Sequence, residues 1–204
     1  MTHTIAIYLF DQVEVLDFAG PFEVFCTAAR MYERTQPVGA PGLFTVFTVA
    51  QDNQPRLGRG GLQVQPQFHF GNHPAIDVLI VPGGVVTAEL DNPVVIEWIG
   101  RTAQRSSLTA SVCTGAFLLA KAGLLDGKPV TTHWEDIADL RAAFPALQVK
   151  SGVRWVDSGA TVTSAGISAG IDMSLYLVAR LAGRELAMRT ARQMEFDWIC
   201  PEGV

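Results

Sequence analysis

The run Leu108-Thr109-Ala110-Ser111-Val112-Cys113-Thr114-Gly115-Ala116 constrains this chain more than any other stretch. Five apolar and β-compatible residues lead directly into a cysteine. A helical segment, 115–122, leads directly out and is closed by Gly123. Small residues at Ser111 and Gly115 flank the turn, as a tight strand-turn-helix crossing requires. Such an elbow holds its side chain up at the C-terminal edge of a sheet, where open α/β sheets place ligands. The start of a helix favours negative charge, so the turn is also expected to depress the Cys113 pKa and enrich the nucleophilic thiolate. The plainer reading is a small buried core residue. A position between a buried strand and a helix start favours the nucleophile.

The rest of the chain repeats the strand-then-helix alternation. Strands are expected at 5–10, 44–50, 62–64, 77–82, 153–156 and 160–163, besides 108–112. Helices are expected from Asp17 onward with Pro21 in the first turn, and over 92–104, 133–144, 171–181 and 185–194. Breaker-rich loops fall at 36–42 and 51–61. No internal repeat or low-complexity linker interrupts the pattern. The expected architecture is one domain over 1–204: a doubly wound, mainly parallel α/β sheet with helices on both faces.

Composition excludes several functions. With 49% hydrophobic and 17% charged residues, the chain can bury a large core and is not globally disordered. The net charge is −5 and the basic residues are scattered, so no nucleic-acid partner is expected. Arg180, Arg184, Arg189 and Arg192 read as a solvated helix face. Cys26, Cys113 and Cys200 are odd in number and form no CxxC pair, which argues against structural zinc, a redox dithiol and a secreted disulfide framework. Cys26 falls on an apolar helical stripe and Cys200 near the chain end. The N-terminus lacks a signal-peptide pattern, and no apolar run could span a bilayer. A cytoplasmic protein without membrane association is the expectation.

Five separated motifs, in order, resemble the ThiJ/PfpI superfamily, of the class I glutamine amidotransferase-like type. They are Asp17-Phe18-Ala19-Gly20-Pro21-Phe22-Glu23-Val24-Phe25; Val81-Pro82-Gly83-Gly84; Ser111 to Ala116 with Ala122 to Gly127; Thr131-Thr132-His133-Trp134; and Thr163-Ser164-Ala165-Gly166 with Ser168 to Asp172. The resemblance runs from about Ile5 to about Trp198. Within the superfamily it is nearest to isonitrile hydratases and to the sensor half of AraC-type regulators. Those regulators continue into a helix-turn-helix region, which this sequence is expected to lack. The resemblance implies a flavodoxin-like fold, a homodimer, and no cofactor or metal. Protease-like members carry a histidine directly after the cysteine. Here that position is Thr114, so peptidase activity is not expected. A further glycine often found two residues beyond the Gly-Gly pair is Val86 here, in the loop over the nucleophile.

Asp17 follows the first strand, so a parallel sheet puts it on the same edge as Cys113, and the resemblance puts an acid there against the nucleophile. A carboxyl beside a thiolate should have a raised pKa and could serve as general acid or base. Its other reading is a helix N-cap. Thr114 could bond the carboxyl or the substrate, and its N–H could face a developing anion. Gly83 and Gly84 would let backbone N–H groups approach a ligand, or form a simple turn. His133 lies near the site or merely caps a helix. Phe18, Ile167 and Trp134 are candidate pocket walls. Arg154 resembles a structural arginine near the site and the dimer interface, Asp172 reads as a helix-terminus residue, and Glu23 as a surface contact.

The resemblance implies cysteine-dependent hydration of an isonitrile to an N-substituted formamide, a lyase reaction with Cys113 as nucleophile and Asp17 as acid/base. The alternatives are a sensor module that binds a small molecule without turnover, or a stress protein acting on reactive carbonyls or oxidants through Cys113.

Overall fold

The computed structural model describes residues 2–198. In chain order it contains β1 (His3–Tyr8), α1 (Val15–Glu33), β2 (Phe44–Ala50), β3 (Arg56–Leu57), β4 (Gln63–Val64), β5 (Phe68–His69), β6 (Val78–Val81), α2 (Thr87–Leu90), α3 (Pro93–Arg105), β7 (Leu108–Val112), α4 (Gly115–Lys121), β8 (Pro129–Val130), α5 (Ile137–Ala143), β9 (Gln148–Val149), β10 (Trp155–Asp157), β11 (Thr161–Ser164), α6 (Ala169–Ala182) and α7 (Arg184–Gln193). Cys200 lies outside the described residues.

One seven-stranded sheet, in the order β10-β11-β7-β6-β1-β2-β5, organises the fold. Every neighbouring pair is parallel except the edge pair β10–β11. The strands β2-β1-β6-β7-β11 therefore reproduce the flavodoxin-like order 2-1-3-4-5. β1, β6 and β7 read as continuous apolar runs because both faces are covered: Ile5 to Ile7, Val78 to Val81 and Ala110 to Val112 have essentially no exposure. α1, α6 and α7 pack together as one layer, and α2, α3 and α4 as the other. Right-handed crossovers require this split, since the chain moves one way from β1 to β2 and the opposite way from β6 to β7. The reversal lies between β1 and β6, and the C-terminal ends of those strands are where such sheets hold ligands.

Two details differ from the sequence expectation. α1 begins at Val15, not Asp17, so Pro21 sits inside the helix rather than in its first turn. Proline has no N–H, so the Asp17 carbonyl loses its helical partner there. The short strands β3, β5, β8 and β9 carry two residues each, too few for an alternating pattern to register. No described helix is long and apolar enough to cross a membrane.

Candidate active site

Cys113 occupies the turn between β7 and α4 with φ +57°, a left-handed conformation that costs a non-glycine residue about 1–2 kcal/mol. The backbone around it holds that conformation. Cys113 N–H donates to the Ser164 carbonyl at 3.2 Å. The Thr132 hydroxyl donates to the Cys113 carbonyl at 2.8 Å. Gly115 lets the new helix pass the end of β6: a Cβ there would stand 2.1 Å from the Val81 oxygen.

Asp17 reaches Cys113 from the first turn of α1 and is fully buried. It is not the helix cap, because Glu14 holds that position. Its Oδ2 accepts instead from the Gly83 N–H at 3.1 Å, across the loop that follows β6. Its Oδ1 is buried without a formed hydrogen bond. The Cys113 side chain and the Ile167 N–H lie near enough to act on the carboxylate, though neither makes a bond of full geometry. Burial dominates, opposed by the Gly83 bond, and raises the Asp17 pKa to about 7.

The cysteine departs from the sequence expectation. Its pKa is pushed up to about 12, first by burial and then by the Asp17 charge, with Asp136 adding a smaller push. The Thr114 N–H pulls the other way and loses. α4 is only seven residues long, and its end cannot offset a thiol left 7% exposed beside a carboxylate. Of the two groups the carboxyl ionises first. Above about pH 7, once Asp17 has ionised, the remaining proton of the pair stays on sulfur.

Gly83 and Gly84 clasp the two loops that carry this pair. The Glu14 N–H donates to the Gly83 carbonyl at 2.9 Å, and the Val85 N–H donates to the Gln12 carbonyl at 3.1 Å. Gly84 has φ +137°, and a Cβ on it would meet the Gln12 oxygen at 2.3 Å. Thr114 locks the same clasp: its Oγ1 accepts from the Gly84 N–H and donates to the Gly84 carbonyl, both at 2.9 Å. The glycine N–H groups and the Thr114 hydroxyl are thus engaged within the protein. The Thr114 N–H remains directed at the sulfur. Val86 is nearly buried at φ −89°, a conformation that needs no glycine.

The remaining residues differ in where they pack. His133 is mostly buried, with Nδ1 3.3 Å from Asp136 Oδ2 and 3.7 Å from Glu135 Oε2. Its ring packs against Gly166, where a Cβ would stand 2.0 Å away. Ile167 follows at φ +55° and is 40% exposed, whereas Phe18 is packed into the core. Trp134 is 75% exposed. Arg154 grips Asp172 through Nε at 2.6 Å and through Nη2, so the loop bearing Ile167 is tied at its far end. Glu23 bonds Thr27 and Arg30 on the surface of α1. Cys26 is half-buried there rather than in the core, its pKa raised by burial and by Glu23. Sequence reasoning alone gives Thr132 and Asp136 no role. The hydroxyl at 132 was visible as part of Thr131-Thr132-His133, but its bond to Cys113 is a tertiary fact. Among the described residues, no group of three His, Cys, Asp or Glu side chains could hold a metal ion.

The chain matches known proteins along nearly its whole length. The model of the DJ-1/PfpI family matches residues 3–180. An isonitrile hydratase of Pseudomonas putida is 34% identical over 197 residues, covering 96% of this chain and 79% of that protein. The HTH-type transcriptional regulator GbdR of Pseudomonas aeruginosa is 30% identical over 196 residues, again 96% of this chain but 51% of the regulator. A crystal structure of a ThiJ/PfpI family protein from Pseudomonas syringae superposes with a TM-score of 0.83 at 27% identity, over 100% of this chain and 78% of that one.

Proposed function

The chain belongs to the DJ-1/PfpI family, and from that premise we propose that it hydrates a small isonitrile to an N-substituted formamide, with Cys113 as nucleophile and Asp17 as the group that moves the proton. The observation that carries this reading is the buried Asp17–Cys113 pair, with one carboxylate oxygen left unbonded. The resemblance to an isonitrile hydratase supplies the substrate class.

The reaction starts with the proton on sulfur and Asp17 ionised. As sulfur attacks the terminal isonitrile carbon, the S–H bond breaks and its proton passes to Asp17. A C–S bond forms, and Asp17 delivers the proton to that carbon, giving a thioimidate, R–N=CH–S–Cys113. Water then adds to the same carbon. Asp17 relays one of its protons to nitrogen, the C–S bond breaks, and sulfur leaves with the other proton. The product is R–NH–CHO, with thiol and carboxylate restored. A single acid/base partner serves both halves because it begins and ends each half as a carboxylate. The Thr114 N–H steadies the sulfur while it carries negative charge. Ile167, with Phe18 and His133, is assigned to the wall that receives the R group.

No cofactor or metal enters this scheme, and no nucleic-acid or membrane partner. Peptidase activity is excluded from it because Thr114 stands where protease-like members have histidine. A cytoplasmic homodimer fits the reading, and Leu16, Leu57 and Leu62 expose apolar surface around the start of α1 and the β3–β4 hairpin. The 30% identity to a transcriptional regulator favours a second reading, a sensor pocket without turnover. Incubation of purified protein with a simple alkyl isonitrile, with formamide followed by chromatography, separates the two. Formamide that vanishes with Cys113→Ala supports the enzyme. Saturable binding with no product supports the sensor.

A further inference from the structure

Away from the nucleophile, a cavity of about 450 Å3 opens between α3 and the segment 70–77 that joins β5 to β6. It extends to Asp77, which precedes β6, whereas the Asp17–Cys113 pair lies beyond the strand's other end. The six steps from Asp77 to Gly83 span roughly 20 Å at about 3.3 Å per residue.

One wall of the cavity is aromatic. Phe70 stacks on Trp98 with centroids 4.1 Å apart and planes 7° apart, and His73 meets Trp98 edge-on at 5.7 Å. The polar atoms of that wall are already used. Trp98 Nε1 donates to His73 Nε2 at 3.2 Å, and His73 Nδ1 lies 2.8 Å from the Pro74 carbonyl, which assigns the ring proton to Nδ1. Trp98 is only 3% exposed behind Phe70, so the wall offers the partly exposed Phe70 ring and no free donor.

The rim is cationic. Arg101 and Arg105 stand one turn apart on α3, and both line the cavity. Arg101 pairs only loosely with Glu97, at 3.6 Å and in solvent, and Arg105 has no ion-pair partner among the described residues. The one carboxylate in the lining, Asp77, already accepts from the Thr4 N–H at 2.8 Å. A cation in the last turn of a helix complements its dipole, but that does not account for a second arginine over an aromatic wall.

The cavity is braced open at both ends. The Ser106 hydroxyl is shared between the Ile76 carbonyl at 3.0 Å and the Thr102 carbonyl at 2.9 Å, and the Ser107 hydroxyl donates to the Asp77 carbonyl at 2.8 Å. The Trp98–His73 bond holds the other end. A pre-formed concavity of this size, with an apolar wall and a few charged groups, has the make-up of a small-molecule site.

We propose that this cavity is a second ligand site, separate from Cys113, for a small planar aromatic anion, its ring against Phe70, which Trp98 backs, and its carboxylate between Arg101 and Arg105. Guanidinium groups bind carboxylates through paired hydrogen bonds, and ring stacking orients the body.

The test is an NMR titration of the isotope-labelled full chain with indole-3-acetate, indole-3-acetamide and acetate, following the Trp98 indole N–H and the Arg101 and Arg105 Nε–H signals. Indole-3-acetate is expected to saturate and to shift those signals first. The neutral amide, and the acid on Arg101→Gln/Arg105→Gln, should bind at least about tenfold more weakly. A normal melt shows that the double variant is folded, and Arg105→Gln alone carries the same test if it is not. Absence of saturation at millimolar acid, equal affinity for the amide, unchanged affinity in the variant, or shifts centred on Cys113 and Asp17 would each overturn the proposal. Isonitrile turnover is not a readout here, so either reading can fail without the other.

Discussion

Gly83 touches both members of the Asp17–Cys113 pair: its N–H donates to Asp17 Oδ2 at 3.1 Å, and a Cβ on it would stand 2.9 Å from Cys113 Cβ. One backbone residue thus sets the distance between carboxyl and thiol. It also leaves Asp17 Oδ1 buried and unbonded, where an unsatisfied acceptor costs about 1–3 kcal/mol unless a proton or substrate comes to it.

Gly83→Ala should therefore damage catalysis more than folding. The new methyl would stand 2.5 Å from Thr114 Oγ1 and 2.6 Å from Thr114 N, so the elbow must shift. Overpacking of this kind costs about 1–3 kcal/mol, and a displacement of about 1 Å at a reacting centre can cost about 100-fold in rate. Gly159→Ala is the control, since it has a left-handed φ of +82° but open space around it. It should lose about 1–2 kcal/mol of stability and no activity. Turnover and thermal melts of both variants decide the matter; normal turnover in Gly83→Ala would show that the close approach does not set the site.

The pH dependence of turnover follows from the order in which the pair ionises. Asp17 must be a carboxylate to receive the thiol proton, and its pKa is raised to about 7. The thiol pKa is pushed up to about 12. Below 7 both groups are protonated and no base is present. The rate constant kcat/KM should rise through about pH 7 and then stay level to the alkaline limit of stability. A bell with a descending limb near pH 8 to 9, the range of an ordinary thiol, would contradict the raised cysteine value.

Thiol reactivity should move opposite to turnover in Asp17→Asn. At about pH 8.5 the wild-type carboxylate is ionised and repels a thiolate, whereas the amide does not. Alkylation of Cys113, read by peptide mapping, is expected to be faster in the variant than in the wild type. Slower labelling would mean that the carboxylate activates the resting thiol rather than suppressing its ionisation.

How much of this was legible in the sequence depended on range. The elbow at Cys113 is local: strand, cysteine, small residue and helix are contiguous, and the structure places them so. The resemblance motifs put Asp17 on the correct edge. The sign of the Cys113 shift was not legible, because the helix start is written next to the cysteine while burial and the Asp17 charge come from elements distant in sequence. The Gly84–Thr114 clasp joins backbone and side chain thirty positions apart, and a glycine pair alone does not reveal whether its N–H groups are free. Pro21 reads as a first-turn residue and so points to a late start for α1, yet tertiary packing tolerates it inside the helix.

Stability should carry the same signature as chemistry. A raised folded-state pKa means that the native protein holds a proton the unfolded chain has released. The contribution of Asp17 is fully present below the unfolded value near 4 and is lost as pH rises through about 7. From about pH 5 to about pH 8.5 the wild type should lose roughly 2–3 kcal/mol relative to Asp17→Asn, which has no such group. Denaturant melts of the two proteins at both pH values test this. A constant difference would mean that Asp17 ionises normally.

Asp17→Asn also separates proton transfer from architecture. The Asn side-chain oxygen can still accept from Gly83 N–H, so the clasp and the fold should survive. What the amide cannot do is take the thiol proton and return it to carbon. General acid–base contributions are about 100- to 10,000-fold, so isonitrile turnover should fall by at least the lower figure while the melt stays normal. Since the same substitution is expected to speed Cys113 alkylation, loss of turnover could not be ascribed to a less reactive sulfur. Near-normal turnover in a folded Asp17→Asn protein would remove Asp17 from the mechanism and leave Cys113 without a proton partner.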